Sequence, residues 1–334
     1  MTCSYSNKNK KHPQIYFNNV VLADVDSHKH LGLTISRDMT WTTHIKSTID
    51  SVAAMADVLK SLKYKIDRKS LEITYFSFIR PKLEYGSHIW DNCSKVNAEL
   101  LEKFQLDIAR TVTGARKGTS HALIYNETGW PKLSTRRTAS KLKRLIKIAN
   151  NEAPQYLQNL LPPKIGESRP SSHYADNYQL VKCRTETFKK SFIPSAVKEW
   201  NTLPCNQRNL AYTKEISESS PNILFCEGSR ELNVKHAQLR MQCSKLNSHL
   251  FQLHVSDTSQ CPCGQDIEDS AHYLLKCTLY DHERVHMFQS MPNIVDINNI
   301  DIETLLYGHD GYDFETNKVI FQAVHAFILE TNRL

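Results

Sequence analysis

Three cysteines and one histidine near the end of the sequence are the residues whose types and spacing best fit a defined chemistry. Cys261, Cys263, His272 and Cys277 give the spacing C-x-C-x8-H-x4-C within seventeen residues. Zinc binds thiolates and imidazoles in a tetrahedron, and four protein ligands close a structural site. Gly264 can adopt the left-handed backbone of a tight turn after the second cysteine, and one short helix can present His272 with Cys277. The spacing therefore predicts a structural zinc ion.

The remaining cysteines argue against a disulfide framework. The 334 residues contain nine cysteines, an odd number, and only the last three are clustered. Disulfide-rich secreted domains carry paired cysteines at regular spacings, so a reducing compartment is favoured. The alternative to a zinc site is then a set of reduced thiols scattered on a helical segment.

Composition and charge limit the class of protein. An apolar fraction of 40% with 23% charged residues is typical of soluble globular chains, and the length suffices for two domains. The polar N-terminus has no apolar core of a signal peptide, and no run of eighteen apolar residues occurs. We therefore predict an intracellular protein, in the nucleus or cytoplasm, without a membrane partner. A net charge of +7 and a pI near 8.8 favour nucleic acid as a partner without requiring it.

Local patterns predict a mainly α-helical fold with a short β segment at its start. Two β-prone runs around Asn18-Asn19 predict a hairpin over 14–23, and the alternation over 30–35 predicts one further strand. Apolar residues then recur at helical spacing. The predicted helices cover 42–62, about 71–80 before Pro81, about 100–113 before Gly114, 134–150 with Ser134 as its N-cap, 188–201, 232–250, 269–276, 279–290 and 315–332.

The helix predicted over 134–150 carries a row of basic side chains. They are Arg136, Arg137, Lys141, Arg144 and Lys147. Leu142, Leu145 and Ile146 fall on the opposite side at 100° per residue. A one-sided basic stripe can follow the phosphates of RNA or DNA without reading their sequence. The alternative is an ordinary solvated face on a helix whose other side packs in the core.

In several short stretches, in a fixed order, the chain resembles the C-terminal region of reverse transcriptases from non-LTR (LINE-like, jockey-type) retrotransposons. The stretches are His30-Leu31-Gly32-Leu33 with Trp41 and His44, Ile79-Arg80-Pro81-Lys82-Leu83-Glu84-Tyr85-Gly86 with Trp90, Leu101-Glu102-Lys103-Phe104-Gln105 with Ala109-Arg110, Glu127-Thr128-Gly129-Trp130-Pro131-Lys132-Leu133 with Arg136-Arg137, Trp200-Asn201-Thr202-Leu203-Pro204, and Leu239 to Asn247 followed by the cysteine set, Tyr280 and Arg284.

This resemblance implies an organisation of the whole chain. Residues 1–40 would be the end of the palm and 41–202 a helical thumb-like domain that holds template and primer. Pro, Asn, Ser and Gly residues recur over 203–230 without a sustained apolar face, which predicts a linker that leads to a small helical zinc module at 231–334. The family's metal-binding aspartates lie upstream of the Leu-Gly strand, so the resemblance implies no catalytic residue here, and Mg²⁺ would act only in a full-length parent enzyme.

The expected function is therefore that of a truncated RNA-directed DNA polymerase, inactive as a polymerase by itself. It would retain parts that bind RNA and DNA and a structural zinc ion. The alternative is a non-enzymatic, host-retained protein that binds another protein or nucleic acid. An active polymerase would require additional sequence.

Overall fold

The N-terminal part of the chain folds into two short β-hairpins. The structure is a computed structural model that describes residues 14–171, 173–204 and 222–334. Strand β1 (Tyr16–Phe17) pairs antiparallel with β2 (Val20–Val21), and β3 (Ser27–His30) pairs antiparallel with β4 (Leu33–Ser36). The first hairpin confirms the prediction, because Asn18 and Asn19 both adopt positive φ at its turn.

The single strand predicted over 30–35 is wrong. Leu31 and Gly32 have φ of 45° and 83° and form the turn between β3 and β4. The apolar alternation of this stretch therefore includes a turn position, which an alternation count cannot distinguish from a strand position. Gly32 also lies against Tyr85, since a Cβ at this position would be 2.9 Å from the tyrosine ring.

Helices are the main elements in the rest of the described chain, which confirms the mainly α-helical class. In chain order they are α1 (Thr42–Leu62), α2 (Arg68–Thr74), α3 (Arg80–Glu84), α4 (Ser87–Trp90), α5 (Lys95–Thr113), α6 (His121–Thr128), α7 (Leu133–Ala149), α8 (Gln155–Gln158), α9 (Ile165–Ser168), α10 (Glu186–Lys189), α11 (Phe192–Thr202), α12 (Arg230–Arg240), α13 (Asn247–Gln252), α14 (Asp281–Gln289), α15 (Ile302–Tyr307) and α16 (Phe314–Thr331).

Several details of the predicted helices need correction. The helix predicted over 232–250 is two helices, α12 and α13, separated by a turn at 241–246. The second helix does not end before Pro81: a π-helical turn at Tyr75–Ile79 leads directly into α3, whose second residue is this proline. Proline cannot donate a hydrogen bond to the preceding turn, so it interrupts the bonding of a continuous helix, and the π turn lies directly before it. The N-cap of α7 is Lys132 rather than Ser134, which lies inside the first turn.

The described residues form two compact units, each built from several stretches of the chain. The first contains residues 14–54, 80–104 and 131–204, and the second contains 55–79, 105–130 and 222–334. The segment predicted as one thumb-like domain therefore contributes to both units. Most of the predicted linker, residues 205–221, lies outside the described residues.

The core of the first unit is formed around α7. Leu145 packs with Ala196 and Val197 of α11 and with Tyr178 from the preceding loop. The Asn201 side chain accepts from the Tyr178 N–H at 3.0 Å and donates to its carbonyl at 2.8 Å, which fixes this loop on α11. The start of α1 packs against α4, where the His44 and Trp90 rings lie 6.0 Å apart.

The core of the second unit combines α12, α14, α15 and α16. Its buried apolar residues include Leu239, Met287, Leu305 and Phe327. A buried ion network lies beside this core: Glu127 accepts two hydrogen bonds at 2.8 Å from Arg240 and one at 2.5 Å from Arg68. Burial alone would raise the pKa of Glu127, but the two guanidinium groups lower it.

Candidate metal centre and cationic side chains

Residues 260–267 form a tight loop, the knuckle turn, which carries two of the four candidate ligands, Cys261 and Cys263. Gln260 and Ile267 pair as an isolated antiparallel bridge. Within this bridge the Cys261 N–H donates to the Asp266 carbonyl at 2.8 Å, and the Gly264 N–H donates to the Cys261 carbonyl at 2.9 Å. Gly264 has a φ of 77°, so the predicted left-handed turn is confirmed. The Gln265 N–H points at the Cys263 sulfur at 3.5 Å.

The other two ligand candidates are brought together by a π-helical turn. Asp269 caps this segment by accepting the His272 N–H at 2.7 Å. The turn spans His272–Lys276, and the Cys277 N–H donates to the His272 carbonyl at 2.7 Å. A hydrogen bond across five residues places these two residues one above the other, whereas in an α-helix they would point about 140° apart. The x4 spacing therefore fits a π turn.

The four candidate ligand atoms converge as one cluster. All of them lie within 4.8 Å of one another. The Cys261 and Cys277 sulfurs are 3.5 Å apart, and the Cys263 sulfur is 3.2 Å from His272 Nε2. Zn–S and Zn–N bonds of about 2.3 and 2.0 Å in a tetrahedron imply ligand separations of about 3.8 Å between sulfurs and about 3.5 Å between sulfur and nitrogen. The donor set and its spacing thus fit a metal ion of the zinc class.

Burial and hydrogen bonding set the protonation of this cluster in the absence of a metal. Burial raises the pKa of Cys261 to about 12 and also raises that of Cys277. The Gln265 N–H lowers the pKa of Cys263 to about 7. Zinc binds thiolates, so loading the cluster releases protons and removes the burial penalty on the two buried sulfurs. His272 Nδ1 is buried and has no hydrogen-bond partner among the described residues.

The cluster is anchored to the core of the second unit. Arg284 donates to the carbonyls of Cys277 and Leu274 at 2.7 and 3.0 Å. The buried Glu268 carboxylate accepts from the Arg333 guanidinium at 2.6 Å and from the Asn247 N–H at 2.7 Å. A metal bound here would link a loop and a helical turn that the core already holds in place.

The basic residues of α7 do not form one exposed row. Arg137 and Lys141 are each only 4% exposed, whereas Arg144 and Lys147 are exposed and Arg136 is partly buried. Leu142, Leu145 and Ile146 are buried as predicted.

Carboxylates from two other helical regions neutralise the buried part of this row. Asp91 lies 3.1 Å from Arg137 and 2.6 Å from Lys141, and Glu199 of α11 lies 2.7 Å from Lys141. Burial alone would lower the pKa of Lys141, but these two carboxylates raise it. Arg136 pairs with Glu84, with one contact at 3.0 Å.

Sequence reasoning missed these acidic partners, which lie 46 to 58 residues away from the cations they pair with. It also missed Lys143, which is partly exposed four residues before Lys147 and so shares its side of the helix. The four-residue spacing was the signal that could have found it.

The fold and the cluster define a mainly helical protein with a Cys₃His set able to hold a metal ion. A protein of Drosophila melanogaster described as "Probable RNA-directed DNA polymerase from transposon X-element" is 24% identical over 172 residues, which is 47% of this chain. The chain spans about a fifth of that relative, since the match covers 19% of it. No family model and no solved structure matches the chain.

This similarity supports a relationship to retrotransposon reverse transcriptases. In the part of the chain that the structure describes, none of the helices combines the length and apolar character needed to span a bilayer.

Proposed function

We propose that this chain is a zinc-binding and nucleic-acid-binding part of the RNA-directed DNA polymerase of a non-LTR retrotransposon. The observation that carries the proposal is the similarity to the transposon X-element polymerase. The converging Cys₃His set supports the zinc part, because structural zinc sites are built from such ligands. RNA and DNA, as template, primer and element RNA, are the proposed partners.

In this proposal Cys261, Cys263, His272 and Cys277 hold a structural zinc ion. Four protein ligands fill a tetrahedron and leave no position for a reactive water molecule. The metal would stabilise the fold of the second unit rather than take part in polymer chemistry.

Zinc content tests this assignment directly. We expect the purified full chain to contain one equivalent of zinc by mass spectrometry, and Cys277→Ser to lose it together with thermal stability. Cys183→Ser is the matched control, because Cys183 lies outside the cluster in the first unit. Retention of one zinc equivalent by Cys277→Ser would contradict the ligand assignment.

The nucleic-acid part rests on the same similarity and on the positive charge of the chain. Arg144 and Lys147 remain the exposed candidates on α7, while Arg136, Arg137 and Lys141 are engaged by carboxylates. Anisotropy of a labelled single-stranded RNA measures this affinity, which we expect to fall steeply with salt.

A protein-interaction role is a second candidate, and the first hairpin favours it. Six apolar side chains on β1, β2 and their flanks are about half to two-thirds exposed: Ile15, Tyr16, Phe17, Val20, Val21 and Leu22. A contiguous exposed apolar patch is typical of an interface. The absence of RNA and DNA binding at moderate salt would favour this role over the first.

A further inference from the structure

We propose that a basic pocket in the second unit binds the backbone of single-stranded nucleic acid, with one base stacked on Tyr64. This inference rests on the proposed nucleic-acid-binding function and assigns that function a surface. The pocket has a volume of about 430 Å³, within the range of small-ligand sites. It lies entirely within the second unit.

Positive side chains from four separate segments line the pocket. They are Lys63, Arg116, Lys117, Lys235 and Lys245. Glu231 is the one acidic side chain of the lining, and Lys235 engages it at 2.9 Å. The other four cations have no carboxylate within ion-pair distance among the described residues. The described lining therefore keeps an excess of positive charge.

Solubility alone does not account for several cations that line one cavity without carboxylate partners. Side chains of like charge repel one another, and the structure provides a carboxylate partner only for Lys235. Phosphodiester groups would relieve this repulsion, and the counterions they release would favour binding.

Hydrogen bonds connect the elements that surround the pocket. Arg230 at the start of α12 donates to the carbonyls of Lys63, Thr111 and Val112 at 2.8, 3.2 and 2.5 Å. Gln238 donates to the Gly114 carbonyl at 2.8 Å. These contacts fix the end of α1, the end of α5 and one side of α12 relative to one another.

Gly114 shows how closely these elements approach. Its φ is 77°, and a Cβ at this position would lie 2.5 Å from a methyl group of Val234 on α12. Only glycine fits both the conformation and the space. The backbone that carries Arg116 and Lys117 is therefore held in a defined position beside α12.

Tyr64 supplies a surface for a base. Tyr64 lines the pocket and is 64% exposed, and the Lys63 ammonium lies 4.9 Å from its ring centroid. Proteins that bind single strands combine a cationic groove with exposed aromatic rings. In a duplex the bases are stacked inside and cannot reach such a ring. Single-stranded RNA or DNA therefore fits the pocket better than a duplex or an anionic membrane surface.

The test compares pairs of charge reversals in the full chain, measured by anisotropy with labelled oligouridylate at moderate salt. Lys117→Glu with Lys245→Glu should weaken binding by about tenfold or more. Lys189→Glu with Lys190→Glu is the matched control, because both lysines are exposed on or beside α10 in the first unit. It should leave the Kd unchanged. Zinc content and thermal midpoint of each variant should equal those of the unmodified protein.

Two substitutions of Tyr64 separate stacking from charge. Tyr64→Phe keeps the ring and should retain the affinity, whereas Tyr64→Ala should weaken binding by about tenfold. Equal affinities of the two variants for oligouridylate would show that no base stacks on Tyr64.

The outcomes distinguish this inference from the function on which it rests. If the unmodified chain binds no oligouridylate, both fail. If it binds and only Arg144→Glu with Lys147→Glu weakens the complex, the chain binds nucleic acid through α7. The proposed function then holds, and the assignment of the pocket is wrong. Pocket-dependent binding to phosphatidylserine vesicles, without binding to RNA, would reassign the surface to a membrane.

Discussion

Two groups of basic side chains, one on α7 and one around the pocket of the second unit, differ in what neutralises them. On α7, Arg137 and Lys141 are buried against Asp91, and Lys141 also reaches Glu199. Around the pocket, Lys63, Arg116, Lys117 and Lys245 have no such partner in the described chain.

The difference shows that a row of cations in a sequence is not yet a charged surface. The row on α7 looks one-sided because its acidic partners lie far away in the chain. The pocket has no linear signal, because its cations are distributed from residue 63 to residue 245. What matters for an anionic ligand is the charge left after internal pairing.

The largest expected effect is a loss of stability when Asp91, the carboxylate shared by Arg137 and Lys141 on α7, is removed. Asp91→Ala should lower the free energy of unfolding by about 3 kcal/mol, because two buried cations would retain one carboxylate between them. This value is at the low end for buried pairs because the Asp91 side chain is 20% exposed. Urea unfolding measures it.

Lys117→Ala is the counterpart in the second group. It removes a cation that is exposed and unpaired, so the free energy of unfolding should change by less than about 0.5 kcal/mol. Equal effects of the two substitutions would show that the groups do not differ as described.

Acid pH should destabilise the second unit, because this unit contains buried histidines. His325 Nε2 and His236 Nδ1 lie 3.2 Å apart on α16 and α12. Burial and then the charge of Arg240 lower the pKa of His325 to about 4. The unfolded residue has a pKa of about 6.5, so it binds more protons than the folded one between these values. Stability should therefore fall as the pH falls from 6.5 toward 4.

The matched variant is His325→Gln, which cannot titrate. Between pH 6 and pH 5 its free energy of unfolding should fall by about 1.2 kcal/mol less than that of the unmodified chain. His236, whose pKa burial also lowers, keeps part of the acid sensitivity in both proteins. Identical pH profiles from urea unfolding would mean that His325 is not buried in its neutral form.

Local sequence determined the features that were predicted correctly. The left-handed turn at Gly264 was predicted from its place after Cys263, whereas the short helix predicted to present His272 and Cys277 is a π turn. Each of these turns is formed by contacts within a few residues. The helical period of α7 likewise predicted the burial of Leu142, Leu145 and Ile146. The turn at Leu31 and Gly32 was missed because both residues fit the apolar alternation of a strand.

Long-range contacts determined the features that the sequence did not reveal. Asp91 and Glu199 reach α7 only through the packing of the first unit, and nothing near α7 in the sequence indicates them. The pocket depends on Arg230 and on the approach of Gly114 to Val234. Such contacts are absent from any local pattern.

The salt dependence of single-stranded RNA binding tests most directly whether the pocket cations of the second unit hold nucleic acid. Each phosphate contact on a single strand contributes about 0.7 to the slope of log affinity against log salt. We predict that Lys117→Gln with Lys245→Gln reduces this slope by about 1.4, while Lys189→Gln with Lys190→Gln leaves it unchanged. An unchanged slope in the pocket variant, with RNA still bound, would contradict the claim that the unpaired cations of the second unit hold the nucleic acid.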